Sequence, residues 1–228
     1  MTLRIGTYNI RRTIGADGLA DSSRIIRVLQ EIECDVLALQ EVGYQPEQSG
    51  HLLEQLAEAM GAEVVEGITL RDERGHYGNA VLSRLPIAEV RRFDISVPRR
   101  EPRGALDVRV EIDGLPIQLL ATHLGLRPVE RRHQVRRLLQ IIDASTAPIK
   151  VLLGDLNEWF LWGRPLRWLH RAFQETRALR TFPARRPVLA LDRIWVAPGE
   201  SLGRLYVHDS ETARWASDHL PLVAVIEL

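Results

Sequence analysis

Short apolar segments, none longer than five residues, recur along the whole chain, and most of them end at a polar or turn-forming residue. Segments of this length, rich in valine, isoleucine and leucine, are typical of buried β-strands. The chain is therefore constrained to fold around β-sheet, and Asp113 with Gly114 predicts a tight hairpin turn. The predicted strands are Leu3 to Asn9, Val36 to Gln40, Gly78 to Ser83, Ile87 to Val97, Ala105 to Ile112, Ile117 to Thr122, Ile149 to Leu153, Leu191 to Val196 and Val223 to Leu228.

Amphipathic segments alternate with these strands and predict helices. Asp21 is the expected N-cap of the first helix, because apolar residues recur at helical spacing after it. The second helix is expected to end at Gly61, the third to begin at Pro128, and the fourth to cover about Arg164 to Phe173. No internal repeat or flexible linker interrupts the pattern, so we expect one α/β domain over residues 1–228 whose sheets pack between helical layers.

Charge and cysteine content exclude several classes of protein. The 30 basic and 30 acidic residues give a formal net charge of zero, which argues against coating long nucleic acid by bulk electrostatics. The single cysteine, Cys34, excludes an intramolecular disulfide and a cysteine-rich zinc site. The N-terminus lacks a secretion-signal pattern, and no apolar run approaches the roughly 18 residues needed to span a bilayer. We therefore expect a soluble, cytoplasmic protein with no obligate protein partner.

Polar side chains fall where the predicted strands end. Residues at strand ends lie at the rim of a sheet, where loops converge on a cleft. Carboxylates and carboxamides gathered at such a rim suit Mg²⁺, or Mn²⁺, because these cations prefer oxygen ligands. The residues that predict this site are Asn9, Glu41, His123, Asp155, Asn157, Asp192, Asp218 and His219.

Taken singly, several of these residues have plain structural explanations. Asn9 and the pair Asp155 and Asn157 are common turn residues, and Glu41 alone is typical of a solvated loop. Asp192 differs, because a carboxylate that interrupts an apolar strand needs a partner or a metal. The catalytic interpretation therefore depends on the whole set occurring together.

Seven short motifs contain these residues in a defined order. They are TYNIR at 7–11, LQE at 39–41, YGNAVLSRLPI at 77–87, THL at 122–124, GDLN at 154–157, LDRIWV at 191–196 and SDHLP at 217–221. Together they resemble the DNase I-like endonuclease/exonuclease/phosphatase superfamily, which includes neutral sphingomyelinases and inositol polyphosphate 5-phosphatases. The resemblance covers nearly the whole chain. It implies a four-layer α/β sandwich with two central mixed, largely antiparallel β-sheets flanked by helices.

The resemblance also implies roles for the metal-binding and water-activating residues. Glu41 matches the principal Mg²⁺ ligand, with Asn9 and Asp218 nearby in the coordination sphere. His219 matches a general base or phosphate partner, oriented by Asp192 through its other ring nitrogen. A further carboxylate, Asp155, would position the attacking water, and whether Asp155 or His219 takes the water's proton stays open.

A second group of residues is implied to bind the phosphate. Asn157 would donate its amide to a phosphoryl oxygen. His123 matches a second histidine that contacts phosphate, and Asn79 is expected to orient it. Arg103, just before a predicted strand, is a candidate phosphate contact.

The segment 157–173 places aromatic and basic residues directly after a catalytic motif. We expect Trp168 to pack its helix onto the sheet. Trp159 and Trp162 either pack in the same way or contact a substrate, with Trp159 a candidate substrate-binding residue. Aromatic residues beside arginines also suit peripheral membrane contact through residues 159–173.

The sequence thus predicts a Mg²⁺-dependent phosphoesterase that hydrolyses a phosphodiester by in-line attack of an activated water. A lipid headgroup or small-molecule phosphodiester is the favoured substrate. An endonuclease or exonuclease acting on short or single-stranded nucleic acid is the alternative. A catalytically silent binding module of the same fold is a third hypothesis, although all eight predicted site positions carry chemically competent side chains.

Overall fold

Eleven strands form two β-sheets in a computed structural model that describes residues 1–44, 49–72 and 75–228. The strands are β1 (Thr2–Asn9), β2 (Val36–Tyr44), β3 (Glu63–Asp72), β4 (Gly75–Ser83), β5 (Ile87–Asp94), β6 (Gly104–Ile112), β7 (Leu115–His123), β8 (Ile149–Asp155), β9 (Asp192–Ala197), β10 (Leu202–Val207) and β11 (Leu222–Glu227). One sheet has the order β10-β11-β1-β2-β4-β3, and the other has the order β5-β6-β7-β8-β9. Only the pairs β1–β2 and β7–β8 are parallel among these described strands, so both sheets are mixed and largely antiparallel.

Within the described residues, five α-helices cover the outer faces of the sheets. They are α1 (Ser22–Ile32), α2 (Ser49–Met60), α3 (Pro128–Asp143), α4 (Arg164–Phe173) and α5 (Glu211–Ala216). The Asp21 side chain accepts a hydrogen bond from the backbone N–H of Ser23, which confirms the expected N-cap of α1. None of the helices in the described ranges is both long enough and apolar enough to cross a membrane.

Three clusters of buried apolar side chains define the layers. One cluster joins α1, α2 and α5 to the six-stranded sheet. A second lies between the two sheets, and a third joins α3 and α4 to the five-stranded sheet. The order helix, sheet, sheet, helix confirms the predicted four-layer α/β sandwich.

Turn chemistry fixes two of the strand boundaries. Asp113 (φ 50°) and Gly114 (φ 79°) both have positive φ between β6 and β7, as a two-residue hairpin turn with matching twist requires. The strand predicted over Ile87 to Val97 ends earlier, at Asp94. The Asp94 carboxylate accepts a hydrogen bond from the Ser96 N–H, and this local turn ends the strand.

Five elements of the described residues were not predicted: the edge strands β3 and β10, the short helix α5, and two single-turn 3₁₀ helices, Arg11–Thr13 and Gly199–Ser201. β3 and β10 each pair with a neighbour on one side only, and β10 is half-exposed along its length. A glycine and at least one charged residue interrupt the apolar residues of both sequences, so they carry a weak strand signal. α5 spans only six residues, which is too short for helical periodicity to be recognised.

Strand register brings polar residues to one rim of the molecule. In the parallel pair β1–β2, Asn9 lies opposite Gln40, the residue before Glu41. In the five-stranded sheet, Asp155 lies between His123 on β7 and Asp192 on β9. The ends of these strands therefore deliver their terminal side chains to the same region.

Candidate active site

A cleft of about 630 Å³ opens at this rim, between the ends of the two sheets. Glu41, His123, Asp155, Asn157, Asp218 and His219 line it. Two further predicted residues lie directly behind the lining, because Asn9 hydrogen-bonds to Glu41 and Asp192 hydrogen-bonds to His219. The structure thus brings all eight predicted strand-end residues together, although they are spread from position 9 to position 219.

Local backbone conformation aims two of these side chains into the cleft. Glu41 has φ 55° and lies in an irregularity of the β2–β4 ladder, where the register shifts between Leu39 and Val42. Asn157 has φ 52°. Positive φ is uncommon for residues other than glycine and is found preferentially at functional sites. In both positions the chain leaves regular strand geometry where a side chain must turn toward the cleft.

Asn9 joins the carboxylates of the two sheets. Its Nδ2 donates to Glu41 Oε1 at 3.0 Å and to Asp155 Oδ2 at 3.1 Å. Its Oδ1 accepts a hydrogen bond from the backbone N–H of Arg11 at 3.0 Å. Both sides of the Asn9 amide are therefore engaged within the protein, and its observed contacts position two carboxylates.

The donor set around Glu41 fits a divalent cation. Burial raises the pKa of Glu41, and the nearby carboxylates of Asp155 and Asp218 raise it further. Asp218 is paired with the guanidinium of Arg11 at 3.3 Å. Converging carboxylates that oppose one another's ionisation form a site with excess negative charge, and hard divalent cations bind at such sites.

His219 forms a hydrogen-bonded pair with Asp192. Its Nδ1 donates to Asp192 Oδ2 at 2.8 Å, and Thr181 Oγ1 donates to the same oxygen. Its Nε2 lies 3.7 Å from Asp155 Oδ2. Burial lowers the pKa of His219, but the charges of Asp192 and Asp155 outweigh burial and raise it to about 10. The ring is therefore oriented by Asp192 and directs Nε2 toward the carboxylate expected to hold the attacking water.

His123 is held by a partner that was not expected. Arg103 Nη1 lies 3.0 Å from His123 Nδ1, and since a guanidinium only donates, Nδ1 must accept. The Asn79 amide donates to the Gly104 carbonyl at 3.5 Å, and its expected role in orienting the His123 ring stays a prediction. Burial and the Arg103 charge lower the pKa of His123 to about 3, so the ring is neutral and its one proton lies on Nε2.

Two hydrogen-bond donors converge beside this ring. Asn157 Nδ2 donates to the Leu124 carbonyl at 3.0 Å and also lies 3.0 Å from His123 Nε2. With the proton on Nε2, both nitrogens are donors and cannot bond to each other. An oxygen that faces both nitrogens would accept a hydrogen bond from each, so the pair suits a phosphoryl oxygen.

A buried ion pair, Arg131 with Glu158, supports the loop that carries Asn157. Arg131 is fully buried, and its Nε and Nη2 donate to the Glu158 carboxylate at 3.0 and 3.3 Å. Its Nη1 donates to the Leu126 carbonyl at 2.6 Å. Neither residue was predicted, because an arginine in an arginine-rich helix gives no signal that distinguishes a buried side chain from an exposed one.

We expect Arg131→Leu to lower the free energy of unfolding by about 3–5 kcal/mol, since it leaves the Glu158 carboxylate buried without its partner. Urea unfolding followed by circular dichroism measures the change. Arg132→Leu, one residue along and partly exposed, is the matched control and should change stability by less than about 0.5 kcal/mol. Equal stability of wild type and Arg131→Leu would contradict a structural role for the pair.

The tryptophans of the segment 157–173 occupy different environments. Trp168 is partly buried, packs against the core beneath α4 and carries the guanidinium of Arg136 over its ring at 4.8 Å. Trp159 and Trp162 are exposed, with the guanidinium of Arg131 at 4.8 Å from the Trp159 ring centroid. Packing thus accounts for Trp168, whereas substrate contact by Trp159 stays a prediction.

Comparisons with known proteins agree with this architecture. The model of the Endonuclease/Exonuclease/phosphatase family matches residues 6–219. The chain is 34% identical to the uncharacterised protein YbhP of Escherichia coli K12 over 218 residues, covering 88% of this chain and 86% of that protein. The structure matches an endonuclease/exonuclease/phosphatase from Beutenbergia cavernae DSM 12333 with a TM-score of 0.77 and 25% identity, over 100% of this chain and 72% of that one. A mannosyl-6-phosphatase from Bacteroides thetaiotaomicron VPI-5482 shares the fold, with a TM-score of 0.74 and 17% identity over 99% of this chain and 100% of that one.

Proposed function

The chain belongs to the endonuclease/exonuclease/phosphatase family, whose enzymes are hydrolases that generally depend on a divalent metal, and from that premise we propose that it hydrolyses a phosphodiester with Mg²⁺. One observation carries the proposal. The cleft brings three features around a shared space: several carboxylates near Glu41, a buried His219–Asp192 pair, and the hydrogen-bond donors of His123 and Asn157. Phosphodiester hydrolysis needs these three kinds of group.

Glu41 and Asp218 would hold the cation, with Asn9 keeping the Glu41 carboxylate in place. A bound Mg²⁺, or Mn²⁺, supplies charge neutralisation at the phosphoryl oxygens and at the leaving oxygen. The carboxylates of Asp155 and Asp218 support this assignment, because they oppose the ionisation of Glu41 and a bound cation would relieve that repulsion. One oxygen of Asp192 accepts hydrogen bonds from both His219 and Thr181, so this carboxylate would orient the His219 ring.

Asp155 and His219 would prepare the attacking water. Asp155 Oδ2 lies 3.5 Å from His123 Nε2 and 3.7 Å from His219 Nε2, so a water bound there is in reach of both rings. Asp155 would orient the water for in-line attack and accept its proton, because His219, with its pKa raised to about 10, already carries its proton at neutral pH. Asp192 keeps His219 in the orientation that this step requires.

His123 and Asn157 would bind the phosphoryl group. Their two donors provide one oxygen with two hydrogen bonds in a buried setting, where such bonds stabilise developing negative charge strongly. Arg103 would act mainly through His123, because its contact with Nδ1 fixes the proton on Nε2. Arg103 also lines the cleft, so a direct contact with substrate is compatible with the same position.

The favoured substrate is a lipid headgroup or a small-molecule phosphodiester. Zero net charge supports this choice, because binding of long nucleic acid depends on a strongly positive surface. Short or single-stranded nucleic acid is the second candidate, supported by the exposed tryptophans and arginines beside the cleft. The ordered hydrogen bonding among the candidate catalytic side chains argues against a silent binding module.

Hydrolysis of bis(p-nitrophenyl) phosphate tests the proposed chemistry. We expect turnover with Mg²⁺ or Mn²⁺, loss of turnover with EDTA, and recovery when excess Mg²⁺ is added back. Plasmid nicking and release of phospholipid headgroups, measured on the same preparation, separate the two substrate classes. Absence of metal-dependent turnover on every phosphoester tested would refute the enzymatic proposal and favour a binding module.

A further inference from the structure

A group of exposed apolar side chains borders the cleft. We call it the apolar patch: Leu126, Val129 and the four consecutive residues 159–162, which are Trp, Phe, Leu and Trp. Val129 is 63% exposed and Trp162 is 75% exposed. Leu126 is 59% exposed and also lines the cleft, so the patch reaches the entrance of the active site. Large apolar side chains left exposed side by side typically mark a binding surface.

The two loops of the apolar patch are tied together by one buried arginine. Arg131 donates to the Leu126 carbonyl on one side and to the Glu158 carboxylate on the other. Its guanidinium also lies over the Trp159 ring. The patch is therefore a single supported surface, and its exposed side chains are presented from ordered backbone.

A one-sided positive charge accompanies the apolar patch, even though the net charge of the chain is zero. The only acidic residues in the fully described stretches 124–142 and 156–173 are Glu130 and Glu158, and both are buried. The exposed arginines in the same stretches are Arg127, Arg136, Arg137, Arg164, Arg167 and Arg171. Apart from Asp143 at the C-terminal end of α3, the outer surface of α3 and α4 thus presents cations without exposed carboxylates.

We propose that the apolar patch docks the protein on an anionic phospholipid bilayer. Exposed Trp and Phe with neighbouring arginines are the features of interfacial membrane binding, where apolar side chains enter the headgroup boundary and cations contact anionic lipid. Single-stranded nucleic acid fits less well. Aromatic rings stack on bases, but Leu126, Val129 and Leu161 gain nothing from a polar backbone and gain burial from a bilayer.

Docking through the apolar patch also assigns a substrate class. Because Leu126 belongs both to the patch and to the cleft lining, a docked protein turns the cleft toward the lipid phosphates. The substrate would then be the phosphodiester of a phospholipid headgroup in the bilayer. This assignment rests on the proposed hydrolysis, whereas docking itself does not.

Sedimentation with vesicles tests docking without any need for catalysis. We expect the full chain to bind phosphatidylglycerol-rich vesicles and to bind pure phosphatidylcholine vesicles more weakly. Arg164→Gln and Arg167→Gln should each lower the affinity for the anionic vesicles by about fivefold. Trp162→Ala should weaken binding by about tenfold or more. Trp215→Ala, an exposed tryptophan on α5 in the opposite helical layer, is the matched control and should bind as wild type does.

Docking would be overturned by equal vesicle binding of wild type and Trp162→Ala. Tighter binding of single-stranded oligonucleotides than of anionic vesicles, or self-association that disappears in Trp162→Ala, would also overturn it.

Turnover of soluble bis(p-nitrophenyl) phosphate separates this inference from the proposed chemistry. Trp162→Ala should keep that turnover and lose headgroup release from vesicles. Vesicle binding by an inactive wild type would reject the hydrolysis alone, and soluble turnover without vesicle binding would reject docking alone.

Discussion

His219→Ala should lower kcat/KM for bis(p-nitrophenyl) phosphate by about 10³-fold or more. The variant loses a ring that faces both Asp155 and the attacking water, and misplacing a reacting group costs about 10²-fold. It also loses a charge that stabilises the transition state. Steady-state kinetics at saturating Mg²⁺ measures the effect, and we expect it mainly in kcat because the interaction strengthens as charge develops.

A matched histidine variant provides the control for this experiment. His133 is exposed on α3, and His133→Ala should retain wild-type kinetics. Asp192→Asn tests the orienting contact separately, since it keeps the shape of the side chain while altering the hydrogen bond to His219 Nδ1. Thermal unfolding of every variant shows whether the fold is intact. Wild-type kcat/KM in a folded His219→Ala variant would remove this residue from the mechanism.

Glu41→Gln should reduce kcat/KM by roughly 10²–10³-fold at a fixed Mg²⁺ concentration, because a ligand worth several kcal/mol of charge stabilisation is weakened. Its second expected effect is on stability. Burial and nearby carboxylates raise the pKa of Glu41, and for an acid a raised folded-state pKa means that the ionised form destabilises the fold. In EDTA at neutral pH, Glu41→Gln should therefore unfold at a higher temperature than wild type.

Added Mg²⁺ should reverse that order. A cation that binds only the folded state stabilises it by about 2.7 kcal/mol at one hundred times its dissociation constant, and Glu41→Gln should gain less. Differential scanning calorimetry with EDTA and with Mg²⁺ makes the comparison. Glu54→Gln, an exposed carboxylate on α2, should respond to Mg²⁺ as wild type does. An identical Mg²⁺ response in Glu41→Gln would show that the cation binds elsewhere.

The sequence predicted the fold well where burial leaves a periodic pattern. Core strands such as β2 and β8 contain short apolar runs. The polar site residues after these runs, Glu41 and Asp155, were predicted because the end of an apolar run is recognisable in the sequence. The edge strands β3 and β10 escaped prediction because a glycine and at least one charged residue interrupt the apolar residues of each, whereas the edge strands β5 and β9 were predicted. Their side chains are mixed, so alternation alone does not distinguish them from loops.

The site was predicted as a set of residues, but several of its contacts were not. Pairing of His123 with Arg103 depends on how the start of β6 meets the end of β7, which spacing along the chain does not reveal. The Arg131–Glu158 pair depends equally on tertiary packing, because arginine and glutamate usually lie on the protein surface. Motifs therefore identified which residues gather at the cleft, whereas the hydrogen-bond partners required coordinates.

The cleft lies on a seam between the two sheets, and each sheet supplies part of it. Asn9 and Glu41 come from strands of the six-stranded sheet, whereas Asp155 and Asp192 come from strands of the five-stranded sheet. Two hydrogen bonds cross the seam, from Asn9 to Asp155 and from His219 to Asp192. The alignment of the proposed catalytic side chains therefore depends on how the two sheets pack against each other. A change of side-chain volume in the apolar layer between the sheets can shift the site residues of one sheet relative to those of the other. Such a substitution can therefore alter the rate although the substituted residue does not contact the substrate.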